Sequence, residues 1–261
     1  MLVTVLASGS SGNITLIQIN DKKILIDLGM NYKYLCESLA SYDLTPKDIT
    51  HILITHGHKD HIGALQTFLN KKNTPIIYVT EEALSEIECL KDYDNLSFED
   101  GDFNIDKDIK ITSFHTSHDA KGSRGYIISH DDKDLVYVTD TGYINRKIIP
   151  LIKNKQCYIF ESNHDIEMLL HGRYPAWLKQ RVSSDVGHLS NGQAGNYLSQ
   201  VIGDRTKKVI LAHLSKENNT PDIALDTVKQ YLFEANIKLD DIVCAKQEDR
   251  LEIQIWLILF A

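Results

Sequence analysis

The chain of 261 residues is 43% hydrophobic and 25% charged, and its 36 acidic side chains outnumber 28 basic ones for a formal charge of −8 at pH 7. The apolar fraction is that of an ordinary soluble globular protein, and the acidic balance argues against a broad basic face that wraps nucleic acid without sequence preference. Four scattered cysteines, Cys36, Cys89, Cys157 and Cys244, show no paired spacing, which argues against a thiolate zinc site or a disulfide framework and fits a reducing cytoplasm.

The N-terminus lacks the basic region and long apolar stretch of a signal peptide. Short β-branched strands are expected at residues 3–6, 15–19 and 23–27, a helix at 34–39, a buried strand at 52–54, a helix at 61–69 and a strand at 75–79. Further strands follow at 109–114, 126–129, 135–139, 158–161, 208–211 and 241–244, with helices at 194–202 and 223–235. The apolar run 253–260 reads as a final core or edge strand, far short of the ~20 residues that span a bilayer, so no membrane partner is expected. Strand clusters mixed with amphipathic helices predict an α/β protein of two packed sheets with helices outside. No linker or fixed-period repeat interrupts the pattern, so residues 1–261 are expected to form a single domain.

Directly after the strand at 52–54, the run His56-x-His58-x-Asp60-His61 packs three imidazoles and a carboxylate into six positions. Residues two apart in an extended strand end project to the same side, so His56 and His58 suit one cation. Asp60 and His61 follow after a turn and suit a second. A strand-to-helix loop is a common place for such residues, because the scaffold on either side is rigid. A dinuclear site needs more ligands, delivered just beyond strand ends, and His118, Asp140 and His213 stand in such places. His51, His115 and His130 have no comparable placement and are read as structural. The thiolate-free donor set suits zinc, manganese or iron. Two divalent cations add four positive charges at one point, so the negative overall charge does not exclude a phosphate substrate.

The succession Asp27, His56-x-His58-x-Asp60-His61, His118, Asp140, His213 resembles the metallo-β-lactamase superfamily and covers the chain as far as His213. The resemblance implies an αββα sandwich of two mixed β-sheets flanked by helices, with two divalent metal ions at the edge where the sheets meet. It implies that His56, His58 and His118 hold one metal, that Asp60, His61 and His213 hold the other, and that Asp140 bridges them. Asp27 is expected to orient the loop rather than bind. Asp60-His61 in place of a cysteine ligand speaks against drug-hydrolysing lactamases, and the absent glutamate speaks against redox relatives.

Segments 6–13, 161–165, 172–175, 184–191 and 213–221 resemble a narrower branch, the YycJ/WalJ group of bacterial nucleases. That likeness implies a metal-dependent 5′-to-3′ DNA exonuclease using a hydroxide that bridges the two metals. Asp60 and His188 are its expected catalytic residues, Asp60 as a ligand and His188 as general acid. Ser8, Ser10, Ser11, Asn13, Asn163, His164, His188, Ser190 and Asn191 are expected to hold the phosphate, helped by the N-terminus of the helix beginning near Asn191. Arg173, Lys179 and Arg181 either contact the flanking nucleic-acid backbone or form a solvated face. The competing readings are a small-molecule hydrolase, acting on a thioester or cyclic phosphodiester, and a non-catalytic metal-binding module.

Overall fold

The computed structural model describes residues 1–246 and 251–254. Strands β1 (Leu2–Ala7), β2 (Ile14–Ile19), β3 (Lys22–Ile26), β4 (His51–Leu53), β5 (Ile76–Tyr78) and β6 (Leu96–Ser97) form one sheet with β14 (Leu251–Gln254), in the order β14-β1-β2-β3-β4-β5-β6. The second sheet, β13-β12-β11-β10-β9-β8-β7, takes β7 (Asp102–Asp106), β8 (Ile109–His115), β9 (Arg124–His130), β10 (Lys133–Val138), β11 (Cys157–Glu161), β12 (Lys208–Ala212) and β13 (Ile242–Cys244). Each sheet is half antiparallel and half parallel: β3 to β6 run parallel in the first, and β10 to β13 in the second.

Strand periodicity explains the layers. Successive side chains point to opposite faces, and here both faces are apolar. Val3, Ile17, Ile24 and Ile26 point inward and meet Ile111, Ile128, Leu135 and Ile159 of the second sheet. Their neighbours Leu16 and Leu25 point outward and pack under α1 (Tyr32–Ala40), α3 (Leu65–Asn70) and α4 (Glu81–Leu84) through Leu35, Leu39, Phe68 and Ala83. On the other side Val136, Tyr158, Phe160 and Leu211 pack under α5 (Ile149–Ile152), α8 (Asn191–Val201) and α9 (Pro221–Glu234). The result is the expected αββα sandwich, built from strands buried on both faces.

The expected helix at 61–69 is two short helices, α2 (Lys59–Ile62) and α3. Leu28 takes the groups that would join them: its N–H donates to His61 O and its carbonyl accepts from Ala64 N, each at 2.8 Å. The strand expected at 23–27 stops at Ile26, and Asp27 turns away with φ 61°. Short elements without strong periodicity, including β6, β7, α6 (Ile166–His171) and α7 (Ala176–Val182), escaped the sequence reading. Of the apolar run 253–260, only Ile253 and Gln254 fall within β14, which lies at the edge beside β1; positions 255–260 lie outside the described residues. Among the described residues, no helix is long and apolar enough to cross a membrane.

Candidate metal centre

The predicted ligands emerge where strands end. Asp27 follows β3, residues 55–61 follow β4, His118 follows β8, Asp140 follows β10, and His213 follows β12. Asp27, Asp140 and His213 share a left-handed backbone, with φ of 61°, 56° and 56°. Such conformations are uncommon for residues with a side chain and tend to persist where the surroundings enforce them. At Gly29 the constraint is a close approach between loops rather than a special φ. Its N–H donates to Asn13 O, Asn13 N donates to Asp60 O, and a Cβ on Gly29 would stand 1.6 Å from that same Asp60 oxygen. Only a glycine lets the three loops lock together.

The seven residues expected as ligands come together. Potential ligand atoms of His56, His58 and His118 lie within 4.8 Å of one another, as do those of Asp60, His61 and His213, and those of His56, His61 and Asp140. Asp140 sits between the groups, with Oδ2 3.2 Å from His61 Nε2 and Oδ1 3.5 Å and 3.8 Å from the Nε2 atoms of His213 and His118.

Hydrogen bonds fix which ring nitrogen each histidine presents. Nδ1 of His61 meets Asp27 Oδ2 at 2.7 Å, Nδ1 of His213 meets Glu161 Oε1 at 3.1 Å, and Nδ1 of His118 meets the Gly187 carbonyl at 3.3 Å. Nδ1 of His56 meets Thr55 Oγ1 at 3.0 Å, and that hydroxyl in turn donates to Asp27. In each case the proton belongs on Nδ1, which leaves the Nε2 lone pair for the cluster. His58 is reversed: Nε2 lies 3.9 Å from Asp119 and Nδ1 faces His118. Asp27 thus contacts both His61 Nδ1 and the Thr55 turn, accepting from Thr55 N and Oγ1.

Among the described residues, three buried atoms at the centre, His56 Nε2, His213 Nε2 and Asp140 Oδ2, make no hydrogen bond of regular geometry, the last meeting His61 Nε2 only as a close ion-pair contact. Unpaired buried polar atoms are costly and call for an explanation. A set of imidazole and carboxylate donors with orphaned lone pairs converging on one point is what a divalent cation completes, so the residues present fit the metals the sequence implies.

The electrostatics agree. Burial holds the His56 and His118 imidazoles below their ordinary range, which favours the neutral form a ligand needs. Burial alone would also lower His61 and His213. The carboxylates win instead: Asp140 and Asp27 raise His61, while Asp140, Asp60 and Glu161 push His213 up to about 10. Protons on these two rings stand in for the positive charge that cations would bring.

Glu161 escaped the sequence reading as a functional residue. It ends the buried strand β11, is fully buried, and has four partners: Oε1 meets Nδ1 of His188 at 2.8 Å and of His213 at 3.1 Å, while Oε2 accepts from Thr141 N at 3.0 Å and Leu189 N at 3.1 Å. Burial works against its charge, but the His188 imidazole and its other partners hold it down at about 2. The available signal was a carboxylate closing an otherwise apolar strand.

A cleft of about 250 Å³ opens over the cluster, lined by Ser10, Asn163, His188 and Ser215 among others. Of the residues expected to hold phosphate, Ser10, Asn163 and His188 therefore reach it. Others are used elsewhere. Ser8 Oγ accepts from His213 N, and Asn13 is buried, accepting from Gly9 N and reaching Asp60 and His61. Ser11 accepts from Lys216 Nζ. Ser190 caps α8 in a reciprocal pair with Gln193, and Asn191 is buried against Ser162 and Asn219, so this helix start carries its own donors' partners and does not open on the cleft. His164 is buried and lines a separate apolar groove, with burial lowering its imidazole to about 4. His51 stacks on Tyr78, and His115 contacts Arg124, away from the cluster.

Comparison with known proteins matches this arrangement. The family profile described as the metallo-beta-lactamase superfamily matches residues 7–213. The exodeoxyribonuclease WalJ of Streptococcus pneumoniae (serotype 2, strain D39 / NCTC 7466) is 38% identical over 240 residues, covering 90% of this chain and 89% of the relative. The exodeoxyribonuclease YycJ of Bacillus anthracis is 38% identical over 235 residues, covering 88% and 89%. The crystal structure of the metallo-beta-lactamase fold protein YhfI from Bacillus subtilis superposes with a TM-score of 0.71 at 20% identity, over 96% of this chain and 98% of that one, a likeness of fold. With the sandwich, the histidine-aspartate cluster at its edge and a profile match from the first strand to the last expected ligand, the chain belongs to the metallo-β-lactamase superfamily, in the group of its WalJ and YycJ relatives.

Proposed function

We propose that the chain is a metal-dependent phosphodiesterase that removes nucleotides from the 5′ end of DNA in a reducing cytoplasm, where its four free cysteines stay reduced. Two divalent ions of zinc, manganese or iron fit the cluster, one held by His56, His58 and His118, the other by Asp60, His61 and His213, with Asp140 shared. The observation that carries the reading is the meeting of three orphaned buried ligand atoms beside His188, a histidine held by a buried carboxylate. Support for DNA comes from the relatives, each named an exodeoxyribonuclease. The chemistry such cations supply is a water acidic enough to attack near neutral pH and positive charge set against the phosphoryl oxygens.

The protein's own groups do the rest. Asp60 and Asp140 carry the negative charge that holds the cluster together. Ser10, Ser215 and Asn163 line the cleft; the two hydroxyls are neutral groups able to hold phosphate oxygens without a basic surface, while the Asn163 amide donates to the His213 carbonyl. His188 gives Nδ1 to Glu161 and keeps Nε2 for the cleft. Glu161 fixes the ring through Nδ1, so His188 is oriented to pass a proton to the departing sugar oxygen. Imidazole is the side chain best able to hold and release a proton near neutral pH.

The test is an assay on 5′- and 3′-labelled DNA and RNA across added metals. Asp140→Ala is expected to abolish metal-dependent release of nucleotides from the 5′ end of DNA, and full activity in that variant ends the proposal. Turnover of thioesters or cyclic phosphodiesters alone would leave a small-molecule hydrolase in its place.

A further inference from the structure

Within a chain of net charge −8, residues 171–182 carry Arg173, Lys179 and Arg181 and no acidic side chain. This segment, the approach to α7 and α7 itself, forms a wall of the cleft through Tyr174, Leu178, Arg181 and Val182. Arg181 donates from Nε and Nη2 to Asp119, at 2.5 Å and 2.9 Å, and Asp119 lies 3.5 Å from His118 Nε2, so the guanidinium is moored beside the cluster. Trp177 is 67% exposed. At 3.6 residues per turn it points about 40° from Arg181, on the edge of the face that lines the cleft. Leu170 on α6 is also exposed, and its carbonyl accepts from Lys179 Nζ, which ties the two helices into one surface.

A tryptophan left in water is unfavourable, and one placed beside a phosphate-binding cleft among arginines has a specific use. Bases freed from a duplex stack on aromatic rings while cations track the backbone. Resting on the nuclease reading, we propose that residues 173–181 are a docking platform for single-stranded nucleic acid whose end lies in the cleft. Trp177 and Tyr174 stack on bases, and Arg173 and Arg181 hold the flanking phosphates. The acidic surface elsewhere repels the strand, so the basic segment also sets its direction of approach.

The experiment is fluorescence anisotropy with fluorescein-labelled single-stranded oligothymidylate in excess EDTA, which stops turnover. Trp177→Ala is expected to weaken binding about 5- to 150-fold, the span of one lost stacked base, whereas Trp177→Phe stays within about threefold. Phe233→Ala, which removes an aromatic 76% exposed on α9, is expected to change nothing. Arg173→Ala is expected to shallow the log affinity against log salt slope by about 0.7, one phosphate contact on a single strand. Wild-type affinity in Trp177→Ala overturns the proposal. So does a wild-type protein that ignores oligothymidylate but binds anionic phosphatidylglycerol vesicles through Trp177. If DNA is bound through Trp177 yet no metal supports its degradation, the nuclease reading falls and the platform stands. If DNA is degraded with an unchanged KM in Trp177→Ala, the platform falls and the nuclease stands.

Discussion

Glu161→Gln separates positioning from ligation at the heart of the site. The carboxylate accepts from two imidazole Nδ1–H groups through Oε1 and from two backbone N–H groups through Oε2. An amide has one oxygen, so one of these pairs must face an NH₂. A buried donor left without an acceptor costs about 1–3 kcal/mol, so the variant loses about 2–6 kcal/mol if nothing rearranges. The cheaper escape is for His188 and His213 to move their protons from Nδ1 to Nε2, which turns the ligand nitrogen of His213 into a donor. Cation affinity is then expected to fall about 10- to 100-fold, the usual effect of losing a group that orients a ligand.

At saturating cation the remaining deficit lies in His188, and it depends on the leaving group. DNA cleavage needs a proton on the departing sugar oxygen and is expected to drop by about 10²–10⁴ in kcat. Bis-p-nitrophenyl phosphate, whose leaving group departs unprotonated, is expected to lose far less. Calorimetric cation titration and parallel kinetics on the two substrates check this. Wild-type cation affinity together with equal losses on both substrates would refute the reasoning.

His188→Ala is expected to lower DNA turnover about 10²–10⁴-fold while cation affinity stays within about twofold; a large loss of affinity would place His188 among the ligands instead. Gly29→Ala forces a Cβ to 1.6 Å from Asp60 O, so a sharply lower melting temperature and loss of cation binding are expected, and a wild-type melting curve would contradict the locked-loop description. In cation-free protein His213 is pushed up to about 10, its carboxylate neighbours outweighing burial. Its folded-state value exceeds the unfolded one, so its stabilisation is full below the ordinary histidine range and is lost as pH rises through about 10. The melting temperature in EDTA should therefore fall between pH 7 and 10, while cation affinity rises as the proton to be displaced is lost. Calorimetry in buffers of different ionisation enthalpy should register proton release at pH 7, and none would count against the pairing.

The parts of the fold with strong period were legible. Strands buried on both faces announce themselves as apolar runs, and α8 and α9 are long enough to show a helical stripe. The His56 to His61 run and three further residues at strand ends come from four loops, which follow β4 of the first sheet and β8, β10 and β12 of the second and meet at one edge of the sandwich. What stayed hidden depended on partners distant in sequence. Glu161 is an ordinary strand-end carboxylate until β11 sets it against His188 and His213. Ser190 and Asn191 looked like donors for an anion, but the capping pair with Gln193 and the buried contact with Asn219 use them locally. The break between α2 and α3 is set by Leu28, whose hydrogen bonds cross more than thirty positions of chain.

The most direct measurement is anomalous diffraction from crystals grown with manganese or zinc. The account predicts two peaks about 3.5–4 Å apart, one within bonding distance of His56, His58 and His118, the other of Asp60, His61 and His213, with Asp140 reaching both. A single peak held by Glu161 and His188, or metal bound anywhere else, would contradict it.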